Sequence, residues 1–70
     1  MNTVHMTEAQ ARVAQLVAAG LSNPQVAQQL RIAESTVKNH LNAIYGQGVV
    51  VNRNELINYC RTGGAEHHEA

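Results

Sequence analysis

A single cysteine, Cys60, is all the sequence offers for covalent cross-linking, so no disulfide can close within its 70 residues. A lone thiol of this kind points to a reducing compartment, hence the cytoplasm. No uninterrupted apolar run approaches the roughly 20 residues that a membrane-spanning helix needs. The N-terminus lacks the basic-then-apolar order of a signal peptide. Nothing in the chain resembles a glycine-rich phosphate loop, a paired-carboxylate site or a nucleophile elbow, and Cys60 and His40 do not form a catalytic pair by any spacing rule. An enzyme is therefore not expected, and neither is a cofactor. A metal site is not expected either: His67-His68, flanked by Glu66 and Glu69, reads first as a polar tail. A domain this short buries only about 60% of the surface its unfolded form exposes. With neither disulfide nor metal to staple it, association with a second chain would add stability.

Net charge is missing too: five Lys and Arg residues balance five Asp and Glu residues. Many DNA-binding domains are clearly basic, because non-specific affinity grows with the number of phosphates neutralised. Without the tail glutamates, Glu66 and Glu69, five basic residues face three acidic ones, a net of +2.

What is present is punctuation for four helices. Thr7-Glu8-Ala9-Gln10 has the form of a capping box, in which hydroxyl and carboxamide satisfy each other's backbone amides. Ala9, Val13, Leu16 and Val17 then recur at helical spacing, and Gly20 supplies a left-handed stop, which sets a first helix at about 8–19. Ser22 and Gln25 form a second box around Pro24, whose missing donor costs nothing in a first turn. This second helix, 23–30, turns Val26, Ala27 and Leu30 inward. A third, 34–45, buries Val37, Leu41 and Ile44. It is followed by Gly46, Gly48 and an extended Val49-Val50-Val51, at least one of which fills the core. Asn52 to Glu55 reads as a third box, opening a helix at 53–61 with Leu56, Ile57 and Cys60 inward. Residues 1–64 form one all-α domain; 65–70 have nothing to bury and are expected to be disordered.

The second and third helices, separated by a tight turn, have the sequence form of a helix-turn-helix, whose second helix lies in the major groove of DNA. Ser35, Lys38, Asn39 and Asn42 share a polar stripe on that helix. Lys38 has the chemistry to bond a guanine edge, and Asn39 and Asn42 to read adenine through paired amide bonds. Thr36 can meet a phosphate or serve as a first-turn helix residue, and His40 lies between the polar and apolar stripes. Ser22, Asn23 and Gln25 open the second helix, where amides and dipole favour a phosphate; plain capping is the alternative. Arg53 can contact the DNA backbone or brace the third helix, and bracing is favoured.

Taken in order and register, these residues resemble the DNA-binding domain of the LuxR-type (GerE- or FixJ-like) bacterial transcription regulators. The resemblance runs from Met6 to about Tyr59. It is carried by Thr7-Glu8, Gly20-Leu21-Ser22-Asn23, Val26-Ala27, Leu30, Thr36 to Leu41, Ile44-Tyr45, and Asn52-Arg53 with Glu55-Leu56. It implies a four-helix domain that binds double-stranded DNA as a homodimer. Lys38, Asn39 and Asn42 would stand at the base-facing positions, and Thr36 and His40 at backbone-positioning or structural ones; Ser22, Asn23, Gln25 and Ser35 complete the expected backbone contacts. Asn54, Glu55, Asn58 and Tyr59 would form the dimer contact, with Asn58 and Tyr59 exposed. No sensing domain is seen, as in stand-alone members. The chain departs from the pattern at Arg31, where glycine is usual in the turn, and at Ala33, where serine usually caps the reader helix, so that Glu34 or Ser35 must help its free amides. It departs again at Gly46-Gln47-Gly48-Val49, in place of a basic-Lys-Leu-Gly run, and at Val51, where a basic residue is common. The expected function is sequence-specific transcription regulation. The alternative is an interaction protein of the same fold that binds another regulator as a heterodimer and inhibits it.

Overall fold

The computed structural model describes residues 3–62; the tail expected at 65–70, the Gly63-Gly64 stop and the His67-His68 pair lie outside them. Within that span the chain forms α1 (Glu8–Ala18), α2 (Asn23–Leu30), α3 (Glu34–Tyr45) and α4 (Arg53–Arg61), with no strand among the described residues. Each element starts where the sequence places it. Helix α1 ends one residue earlier than expected, with Ala19 as its cap.

Two of the three expected capping boxes close on both sides. Thr7 Oγ1 accepts from the Gln10 amide while Gln10 Oε1 accepts from the Thr7 amide. Ser22 and Gln25 repeat the exchange at the start of α2. The third is only half a box. Asn52 Oδ1 accepts from the Glu55 amide at 2.9 Å, but Glu55 Oε1 accepts from Val51 N instead of Asn52 N. The carboxylate thus ties down the residue before the cap.

Helix α1 ends in a Schellman turn. The Gly20 amide donates to Val17 O and the Leu21 amide to Leu16 O, with Gly20 at φ 99°. Helix α2 ends with the same pair of bonds, Arg31 N to Gln28 O and Ile32 N to Ala27 O. Its left-handed position is filled by Arg31, at φ 60° and ψ 45°.

Helix α1 packs across α4 and α3, and α2 packs on α3. Val13, Ala14, Val17, Val26, Ala27, Val37, Leu41, Ile44 and Leu56 form the core between them. Small Ala27 sits in the α2 face that meets the rest of this core. Of the valine run, Val50 is buried, Val49 is half-buried and Val51 is exposed, so the extended segment crosses the domain edge with one side chain inward. Ala9, expected on the inner face of α1, is exposed, and Ala14 is buried instead. The inner face of this helix runs through Val13, Ala14 and Val17, because α4 covers it from one side.

The N-terminal segment holds a core residue that periodicity could not reveal. Val4 is buried ahead of any helix. Its amide donates to the Tyr59 hydroxyl at 3.0 Å. Next to it, the His5 amide donates to Gln47 Oε1 and Gln47 Nε2 donates to His5 O, at 2.8 and 2.6 Å. One carboxamide thereby imitates a strand neighbour and holds the segment against the end of α3.

Candidate nucleic-acid interface

Helix α3 carries two opposed faces. Val37, Leu41 and Ile44 are at most 4% exposed and anchor it to the core. Ser35, Lys38, Asn39 and Asn42 are all exposed, and none makes a side-chain hydrogen bond or ion pair within the described residues. At 3.6 residues per turn the four occupy an arc of about 100°, pointing away from α1 and α2. A rod fixed on one side by close packing presents three long polar side chains on the other. Lys38 supplies a cation; the carboxamides of Asn39 and Asn42 each supply a donor and an acceptor side by side.

The first turn of α3 is open. Ala33 has no side chain that can cap, and neither Glu34 nor Ser35 takes its place, contrary to the sequence expectation. The Thr36 and Val37 amides turn back to Ala33 O, which leaves the Glu34 and Ser35 amides without partners. Glu34 does place a negative charge in the first turn, where the helix dipole favours it.

At the start of α2 the donors are largely committed. Pro24 has none; Gln25 N donates to Ser22 Oγ and Val26 N to Ser22 O. The Asn23 backbone amide and Asn23 Nδ2 remain, together with the Ser22 hydroxyl hydrogen and Gln25 Nε2. Ser22 and Gln25 are exposed but occupied with each other, whereas Asn23 is half-buried.

Asn23 is held by Arg53. The guanidinium donates through Nη1 to Asn23 Oδ1 at 2.8 Å and through Nη2 to Leu21 O at 2.7 Å. It therefore braces the α1–α2 corner and not α3, as the sequence had suggested. Only one sequence signal hinted at this. A cation in the first turn of a helix faces the positive end of the dipole, so Arg53 at the opening of α4 needed a partner elsewhere. Nothing local names a partner 30 residues away. Burial pushes the Tyr45 phenol above its ordinary value of 10.0, and the Arg53 charge nearby pulls it part of the way back.

His40 and Thr36 are half-buried. His40 lines a shallow cleft with Glu8, Ala9, Arg12, Leu30 and Ile32, on the side of α3 turned from the polar stripe. On α4, Asn54 and Asn58 are exposed and unbonded, while Glu55 is exposed and bound to Val51 N. Tyr59, expected exposed, is half-buried, its hydroxyl taking the Val4 amide. Cys60 is half-buried, with Sγ 3.8 Å from Ala14 O. Among the described residues no three His, Cys, Asp or Glu side chains group closely enough to hold a metal, and no helix is long and apolar enough to cross a membrane.

The sequence model for bacterial regulatory proteins of the luxR family (GerE) matches residues 4–60. Among curated proteins, the chain is 42% identical over 52 residues to the monoamine regulon transcriptional regulator of Klebsiella aerogenes, covering 74% of this chain and 23% of that protein. It is 35% identical over 57 residues to the HTH-type transcriptional regulator MalT of Vibrio campbellii, covering 81% of this chain and 6% of that protein. The MalT of Vibrio parahaemolyticus gives the same figures. The chain thus spans less than a quarter of the length of the curated relatives it matches. No solved structure matches it significantly.

Proposed function

Because the chain belongs to the luxR family of bacterial regulatory proteins, we propose that it is a sequence-specific DNA-binding transcription regulator of the cytoplasm that reads the major groove with α3. The observation that carries this reading is the exposed, unbonded stripe of Ser35, Lys38, Asn39 and Asn42 on a helix whose opposite face is fully packed. Lys38 meets a guanine edge, and Asn39 and Asn42 pair with adenines. Asn23 meets the phosphate backbone, with Ser22, Gln25, Ser35 and Thr36 as further backbone contacts, whereas His40 lies in the cleft on the side of α3 turned from the polar stripe.

Binding is as a two-fold dimer through α4, with Asn54, Glu55, Asn58 and Tyr59 at the contact. The two reader helices then stand roughly 34 Å apart, one DNA turn. Selection of bound duplexes from a random pool, at two salt concentrations, tests the whole reading. It should return a pseudo-palindrome with half-sites one turn apart. Replacing Asn39 or Asn42 by alanine should cost about 1–3 kcal/mol of discrimination at one base pair. If both variants keep wild-type preference, α3 is not the reader.

Charge gives one observation in favour of a second reading. Arg12 pairs with Glu8 at 3.0 Å, and Arg53 is engaged by Asn23 and Leu21. Few cations are therefore left to neutralise phosphates. A domain of this kind could dock on another regulator and hold it inactive as a heterodimer. Salt separates the two. A DNA binder loses affinity with a slope of about −0.9 per phosphate neutralised, whereas a protein-docking module shows little DNA binding at any salt concentration.

A further inference from the structure

Arg53 belongs to α4, yet its two bonds land on the residues either side of Ser22, the cap of α2. A guanidinium carries donors only. The carboxamide of Asn23 must therefore turn its oxygen toward Arg53, and its Nδ2 group is forced onto the opposite limb. That group has no partner among the described residues, and it sits on the same residue as the one unpaired backbone amide of the α2 first turn. Ser22 Oγ and Gln25 Oε1 each accept the other's backbone amide, which leaves the Ser22 hydroxyl hydrogen and Gln25 Nε2 as further donors, but neither side chain is tied to another helix. Among the donors of this first turn, those of Asn23 are thus the ones whose direction a residue of another helix fixes.

We infer that Arg53 is a positioning residue for phosphate contact: by holding Asn23 Oδ1 it aims Asn23 Nδ2, together with the adjacent backbone amide, at the DNA backbone. The inference rests on the proposed DNA-binding function and adds to it the residue through which α4 sets the grip of α2. Arg53 is half-buried and spends two of its nitrogens inward. It acts here through Asn23 and does not itself take a phosphate.

The test is a double-mutant cycle on Asn23→Ala and Arg53→Lys. It is read as affinity for a labelled duplex of mixed sequence at low salt and corrected for the folded fraction from thermal melts. Lysine keeps the charge of Arg53 but loses the fork that spans two acceptors. Loss of one hydrogen bond to a charged group should weaken binding roughly tenfold. Asn23→Ala should show that loss, and Arg53→Lys most of it. The double variant should be no weaker than Asn23→Ala alone.

Three results would overturn the inference. Additive losses would mean that Arg53 touches DNA directly. Full affinity in folded Arg53→Lys, with the loss confined to Asn23→Ala, would reduce Arg53 to a structural brace. No loss in Asn23→Ala would remove the phosphate contact itself while leaving α3 as reader. Failure of the wild-type protein to bind any duplex at low salt would sink the DNA-binding reading together with this inference, and is told apart by needing no variant.

Discussion

Arg31 holds a left-handed backbone, at φ 60°, that costs a residue with a Cβ about 1 kcal/mol relative to glycine. Its neighbour Ala33 leaves α3 without a side-chain cap, worth roughly 0.5–2 kcal/mol. Arg31→Gly and Ala33→Ser should each move the urea midpoint upward by a stabilisation of that order, at unchanged slope. Both weaknesses could be read from sequence once the turn was placed. What could not be read was whether Glu34 or Ser35 would make good the missing cap, because that depends on rotamers. Tyr45 gives a different test. Its phenol is raised above 10.0 by burial, so the unfolded chain loses this proton first as pH rises. The stability it contributes is intact below pH 10.0 and is lost as pH climbs through the higher folded value. Tyr45→Phe should flatten that part of the alkaline decline, measured by urea unfolding across a pH series.

At the scale of the element, the legible parts were those governed by spacing. Two capping boxes, a Schellman glycine and the stripe Val37, Leu41, Ile44 follow from rules that act within one turn. The half-formed box at Asn52 shows the limit of such rules, since Glu55 reaches Val51 N as readily as Asn52 N, and sequence spacing does not distinguish them. The N-terminal segment lay beyond them altogether. It is pinned by Gln47 and Tyr59, which are 42 and 55 residues away from their partners. Gln47 stands where luxR-type sequences commonly carry lysine. Here a cation has given way to a carboxamide that binds the chain's own backbone. Gln47→Ala should release the segment at a cost of about 1 kcal/mol. Hydrogen exchange should show it as faster exchange of the Val4 and His5 amides, with those of the α3 core unchanged.

For the whole molecule, the stripe on α3 was visible in the sequence, but the division of labour among the cations was not. Charge balance gives a sum, and only the structure shows that Arg12 and Arg53 are already employed. The long-range ties have a similar character. Val4 meets Tyr59, Leu21 and Asn23 meet Arg53, and Ala14 meets Cys60, so all of them except the His5–Gln47 pair join an early segment to the last helix. Loss of α4 would therefore unfasten the reading unit it never enters. It also means that the path of the backbone between residues 4 and 59 is almost a ring, with Val4 seated on Tyr59. Such a ring can be cut elsewhere. A permuted gene, with the ends joined through a short flexible bridge and new termini opened in the valine segment 49–51, should still yield a four-helix product by circular dichroism with a single cooperative melt.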